Sequence, residues 1–229
     1  MTQTNKTNFE HLKIKMIETI KTYGLTNQTI LNAMLKIPRH EFVPDELKDQ
    51  AYEDSPLSIG YYQTISQPYT VAFMLDLLEL KKGNNVLEIG CGSGYNAAII
   101  KEIVGKEKEV NGQVKGRVIS IEVVKELIEF AKNNLSKTGY DDIKIISDDG
   151  SLGSKQFAPY DKIIATCACP RIPKPWIEQL TETGVIVAPI GSLFSQEMIQ
   201  AKKIDGELVA KSFGSFRFVP LIGKYGFKK

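Results

Sequence analysis

The chain has 229 residues, 42% hydrophobic and 24% charged, so it carries enough apolar material for a core and reads as one domain. Its 29 basic and 27 acidic residues leave a net charge of +2, which argues against a basic groove built for nucleic acid. No apolar run approaches the roughly 18 residues of a membrane span, and the polar stretch at residues 1–10 has no signal-peptide core. Three cysteines, Cys91, Cys167 and Cys169, leave an odd thiol and point to a reducing compartment, taken as cytoplasmic. With only His11 and His40 as histidines, no zinc set can be assembled by spacing, and no metal is expected.

Phe9, Leu12, Met16, Ile20 and Tyr23 recur at helical spacing, with Gly24 as a stop. A second short helix is expected over residues 27–36, ended by Pro38. Residues 39–44, Arg-His-Glu-Phe-Val-Pro, read as an extended, charged surface segment with Phe42 and Val43 tucked in. The turn-rich residues 51–60 suit a short hairpin. The run Gln63-Thr64-Ile65-Ser66-Gln67-Pro68 then leads into an apolar helix over about residues 68–80, since proline is favoured in a first helical turn. That places Ser66 or Gln67 at the N-cap, where a hydroxyl is worth about 1 kcal/mol.

Residues 86–89 read as a buried strand that enters a glycine turn, Gly90, Gly92 and Gly94, and opens a helix through Ile100. Such a turn brings backbone close to a ligand, and the helix start offers free N–H groups. The spacing is G-x-G-x-G, not the G-x-G-x-x-G of dinucleotide sites. With Glu88 just before the turn, it resembles motif I of S-adenosylmethionine (SAM) methyltransferases. Residues 105–116 are charged and glycine-rich and read as a solvated loop. Further strands are expected at 117–122, 143–146, 160–167 and 184–190, with helices at 124–137 and 175–180 between them. A tail over about 195–219 reads as two more strands turning at Asp205-Gly206. The expected fold is α/β: a doubly wound, mostly parallel seven-stranded sheet of the Rossmann-like type, with N-terminal helices and a C-terminal antiparallel hairpin.

In an open parallel sheet, ligands bind beyond the carboxyl ends of the strands. That edge gathers Glu88, Ile89, Gly90, Cys91, Gly92, Ser93 and Gly94, then Glu122 with Val123, Asp149 with Gly150, and Thr166 with Cys167. Glu122, 32 residues beyond Gly90 because of the charged loop, is the candidate ribose acid; its alternative is a salt bridge to Lys125. Asp149 is the candidate for the adenine amino group; its alternative is an Asx turn with Gly150, and Asp148 next door competes for the role. The stretch Thr166-Cys167-Ala168-Cys169-Pro170 has no side chain suited to an exocyclic amine.

Blocks across nearly the whole chain carry a closer likeness. They are residues 39–44, 51–54, Ile59-Gly60, 63–68, 86–95, 149–153, 160–164, 189–191 and Phe218-Val219-Pro220-Leu221. The chain resembles the protein-L-isoaspartate (D-aspartate) O-methyltransferase family, and Thr64-Ile65-Ser66 with Pro68 is its most specific block. The resemblance implies one methyltransferase domain, with residues 1–80 a substrate-side extension and 81–229 the SAM-binding core. It implies methyl transfer from SAM to the free α-carboxylate of isoaspartyl residues in damaged proteins and peptides, with S-adenosyl-L-homocysteine as product. It transfers the catalytic position at the substrate carboxylate to Ser66. It implies substrate contacts by Ile59, Gly60, Thr64, Ile65, Thr166, Cys167, Ala168 and Val219, and a chain acting as a monomer without nucleic acid or membrane. The alternative is a methyltransferase of the same fold for a small carboxylate or RNA. Cys91 departs from the family's usual Thr or Ser, Asp148 from its Gly, and Cys167 and Cys169 from its alanines. A carboxylate with a reference pKa of roughly 3.3–3.9 arrives ionised, so no general base is required.

Overall fold

The computed structural model describes residues 3–228. Helices α1 (Gln3–Thr22) and α2 (Gln28–Lys36) come first, and Asn27 caps α2 by accepting from the Thr29 N–H at 3.2 Å. Residues 39–44 are not the extended surface segment expected. Arg39–Phe42 form a 3-10 turn, and Arg39 and Phe42 are fully buried. Strands β1 (Leu57–Gly60) and β2 (Gln63–Ile65) pair antiparallel, so the hairpin lies later than residues 51–60. Its turn residues, Tyr61 and Tyr62, sit at φ of 52° and 58°, a conformation that bulky side chains rarely adopt. Helix α3 (Pro68–Leu78) starts at Gln67, with no side-chain cap from Gln67 or Ser66. Asp54 does that work from fifteen residues away, accepting from the Tyr69 N–H at 2.9 Å and from Gln67 Nε2 at 2.7 Å.

Next come β3 (Val86–Ile89), α4 (Tyr95–Val104), β4 (Lys108–Val110) and β5 (Gln113–Lys115). The expected loop at 105–116 is therefore a hairpin, turned by Asn111 and Gly112 at φ of 51° and 73°. Asn-Gly is a strong short-range hairpin signal, and the charged composition around it hid it. Then follow β6 (Val118–Glu122), α5 (Lys125–Thr138), β7 (Lys144–Ser147), β8 (Tyr160–Ala165) and α6 (Lys174–Gln179). The chain continues with β9 (Leu180–Gly191), β10 (Gln196–Ile204) and β11 (Glu207–Phe216).

The main sheet has seven strands in the order β11-β10-β9-β8-β3-β6-β7, parallel from β9 to β7, with β10 and β11 antiparallel. Side chains alternate across it. Val86, Val118, Ile164 and Val187 join the core under α1 to α4, while Leu87, Ile119, Ile163 and Ile186 join a second core that holds Trp176. The chain starts the parallel part at β3, runs outward through β6 to β7, and returns to β8 on the other side of β3. The switch point therefore lies between the carboxyl ends of β3 and β8, where a crevice opens in such sheets.

Candidate active site

Three cavities meet at that switch point. The first, of about 420 Å³, is lined by Ile89, Gly90, Gly92, Ile121, Glu122, Val123, Gly150 and Cys167, with Tyr61 and Tyr62 over it and Val219 to Ile222 on its far wall. The second, of about 450 Å³, is a groove between Ser66, Gln67 and Leu193 on one side and Phe216 to Pro220 on the other. A pocket of about 40 Å³ between Ser66, Cys91, Ser93 and Asn96 lies between them. Thr64 and Thr166 line all three, so they are the shared wall.

The glycine turn is fastened to β8 at this point. Thr166 Oγ1 donates to the Gly90 carbonyl at 2.6 Å and its N–H donates to the Ile89 carbonyl at 2.9 Å. Gly90 has φ +92°, and a Cβ there would lie 2.6 Å from Thr166 Oγ1, so only glycine fits. Cys167 and Gly150 also border the first cavity, whereas Ala168 does not: its N–H donates to the Val219 carbonyl at 2.7 Å and its carbonyl accepts from the Leu221 N–H at 2.8 Å.

Glu122 closes β6 beside the turn. Oε2 accepts from the Gly92 N–H at 3.0 Å, and Oε1 from the Val123 and Val124 N–H groups at 2.8 and 3.0 Å. The ion pair with Lys125 does not form. A carboxylate has roughly four acceptor sites, so Oε2 keeps capacity for a hydroxyl in the cavity.

Glu88, grouped with this edge from its position in the motif, lines none of the three cavities. Strand alternation turns it to the opposite face from Leu87 and Ile89. There Ser120, its register partner on β6, donates to Oε2, and Asn96 Nδ2 donates to Oε1 at 2.8 Å. Burial pushes its carboxyl up to about 7 against those two bonds. Its place is behind the turn, supporting α4. Gly94 lines none of these cavities either. Ile59 packs where a Cβ on Gly92 would lie 3.6 Å from it, and the Gly60 N–H donates to Ser58 Oγ at 3.3 Å.

Asp149 takes the turn-forming role. Oδ1 accepts from the Ser151 N–H at 2.9 Å, Oδ2 from the Lys224 N–H at 2.7 Å, and it does not line the first cavity. A Cβ at Gly223 would lie 2.0 Å from Oδ1, so glycine lets the C-terminal segment close against it. Asp148 is exposed and accepts from the Asp149 N–H at 2.7 Å.

Ser66 lines the groove and the small pocket, and its hydroxyl makes no hydrogen bond to any of the described residues. Its carbonyl accepts from Arg39 Nη2 at 2.8 Å. Two residues of this region escaped sequence reasoning. Arg39 was read as surface, and Asp54 was one letter in a turn-rich stretch; only the contacts made across the fold reveal them.

A family model described as protein-L-isoaspartate(D-aspartate) O-methyltransferase matches residues 11–226. A Methanococcoides burtonii relative named protein-L-isoaspartate O-methyltransferase is 45% identical over 212 residues, covering 93% of this chain and all 100% of the relative. A Methanococcus aeolicus relative of the same name is 50% identical over 202 residues, covering 88% of this chain and 89% of its own. A solved structure bearing that name superposes with a TM-score of 0.81 at 33% identity, over 93% of this chain and 67% of that one. A Plasmodium falciparum structure in complex with S-adenosyl-L-homocysteine shares the fold, at a TM-score of 0.74 and 23% identity over 91% of this chain and 97% of its own.

Proposed function

The chain belongs to the protein-L-isoaspartate O-methyltransferase family, and from that premise we propose how its own residues divide the work of methyl transfer. It is a SAM-dependent carboxyl methyltransferase acting on isoaspartyl residues of damaged proteins. The roles of individual residues are our reading. The observation that carries it is the meeting of two cavities at Thr64 and Thr166, with the unpartnered Ser66 hydroxyl at their junction.

The first cavity suits SAM. Glu122 offers Oε2 to the ribose, Ile121, Val123 and Leu221 form an apolar wall, and Gly90 lets backbone approach closely. When bound there, SAM supplies an activated methyl group on a sulfonium. Thr166 holds the Gly90 end of the turn so that the two cavities keep a fixed relation. Ser66 orients the acceptor carboxylate by donating its hydroxyl proton in a hydrogen bond, and alignment carries the rate. The groove beside it, walled by Phe218 and Val219, takes an extended peptide. Residues 1–80 serve the acceptor side and 81–229 the cofactor side, in one domain. We place the enzyme in the cytoplasm as a monomer; among the described residues no helix is long and apolar enough to cross a membrane.

The test uses labelled SAM and matched peptides containing isoaspartate or aspartate. Only the isoaspartyl peptide should be labelled, and equal labelling refutes the reading. Ser66→Ala should lower kcat/KM by about 10- to 100-fold, the worth of a hydrogen bond to a charged group, with S-adenosylhomocysteine affinity kept. Stability should hardly change, because the hydroxyl caps nothing.

A further inference from the structure

Arg39 lies behind the acceptor side of the site and has no part in the roles assigned so far. Its guanidinium is fully buried and donates through Nε to the Ala51 carbonyl at 2.6 Å and through Nη2 to the Ser66 carbonyl at 2.8 Å. It stacks on the Tyr95 ring in the first turn of α4, 4.9 Å from the centroid. Nη1 and the Tyr95 hydroxyl are both buried and bear on each other, without a well-formed hydrogen bond to any other described residue. Buried Lys13 and Lys101 each have a carboxylate, Glu10 at 2.7 Å and Asp142 at 2.9 Å. Arg39 has none within ion-pair distance among the described residues; the charge of Asp54, which Gln67 and Tyr69 hold in place, acts on it from farther away.

A buried cation with no ion pair is only partly balanced by a more distant carboxylate, and a further anion placed near it is favoured. Burial lowers the guanidinium's pKa, yet arginine keeps its charge at neutral pH. The one residue whose backbone it grips, and whose side chain faces the groove, is Ser66. We propose that Arg39 is a positioning residue for the methyl acceptor: it fixes the Ser66 backbone, and its charge answers the carboxylate that Ser66 receives. This rests on the reading of Ser66 as the acceptor site. Arg217 is the cation that lines the groove itself, whereas Arg39 is the one bonded to the Ser66 backbone from behind.

The experiment measures binding, in the presence of S-adenosylhomocysteine, of two peptides that differ only at the β-linked residue. One carries the free α-carboxylate and the other the isosteric carboxamide. The native protein should prefer the carboxylate. Arg39→Met should reduce that preference by about tenfold or more, with S-adenosylhomocysteine affinity unchanged. Arg39→Lys should keep the preference, because the charge remains, and should lose kcat, because one lysine cannot hold both carbonyls. A purely structural bolt would weaken both peptides alike, and equal loss in Arg39→Met overturns the proposal. So does an unaltered preference. If Arg39→Met does not fold, Arg39→Lys decides, since loss of the carboxylate preference there is equally fatal. A native protein that methylates aspartyl and isoaspartyl peptides equally defeats the functional reading first, before any variant is compared.

Discussion

Replacing Glu88 by glutamine should stabilise the protein at alkaline pH and leave it nearly unchanged in acid. The carboxyl lies fully buried between Ser120 and Asn96, and burial moves it from 4.5 to about 7. For an acid whose folded value is raised, the folded state binds more protons than the unfolded state between the two values. Stability therefore falls as pH rises through that window and stays low above it. Two to three pH units at about 1.4 kcal/mol each give roughly 3 kcal/mol at pH 8. Glutamine removes that cost and can keep both bonds, since the Ser120 hydroxyl can turn to accept and the Asn96 amide can flip. Allowing about 1 kcal/mol for imperfect amide geometry leaves about 2 kcal/mol, or roughly 4–8 °C in Tm for a chain of this size. Melts followed by circular dichroism at pH 5 and pH 8 measure the difference. A gain that is the same at both values, or a variant that loses more at pH 8, refutes the argument that Glu88 is buried against its charge. Calorimetry with S-adenosylhomocysteine should show little change, because Glu88 turns away from the cavity.

Thr166→Val keeps the side-chain shape and removes the donor to the Gly90 and Ile89 carbonyls, so S-adenosylhomocysteine affinity should drop by about tenfold; unchanged affinity means that the turn does not depend on this bond. Asp149→Ala should lose about 2 kcal/mol and speed proteolysis near residues 222–227, because it releases the Ser151 and Lys224 N–H groups. Asp149→Asn should bind the adenosyl and inosyl forms of the homocysteine product in the same ratio as the native protein; a changed ratio would restore the adenine contact.

The parallel core was legible because buried strands and a glycine turn are local patterns. The parallel direction of the core strands followed from their alternation with helices, and the edge carrying Gly90, Glu122 and Thr166 followed from the rule for strand ends, whereas the order of strands came from the fold. Side-chain facing was harder. Glu88 adjoins the turn in sequence, yet a pleat places it on the other side of the sheet from Ile89. The hairpin at 108–115 was hidden by its charge, although Asn111-Gly112 announces it. Arg39 and Asp54 act on groups 27 and 15 residues away, at Ser66 and Tyr69, and no window of local sequence contains both ends of such a contact.

The site also limits what kind of acceptor can be methylated. An amine or alcohol must lose a proton during attack and needs a base within reach. His40 is held by the Tyr52 hydroxyl at 2.7 Å and stacked on Phe9, and His11 lies on the exposed face of α1; neither borders a cavity. Burial pushes the Cys91 thiol up, and hydrogen bonding to Cys169 with burial does the same for Cys167, so neither thiol accepts a proton as a thiolate. Glu122 borders the first cavity but neither the groove nor the small pocket where Ser66 lies. Ser66 can donate a hydrogen bond but is a poor base. An acceptor that reaches this junction must therefore bring its own ionised nucleophile, and transfer to it cancels an anion against a sulfonium. A carboxylate meets both conditions at neutral pH, so the acceptor site proposed beside Ser66 needs no proton-transfer group.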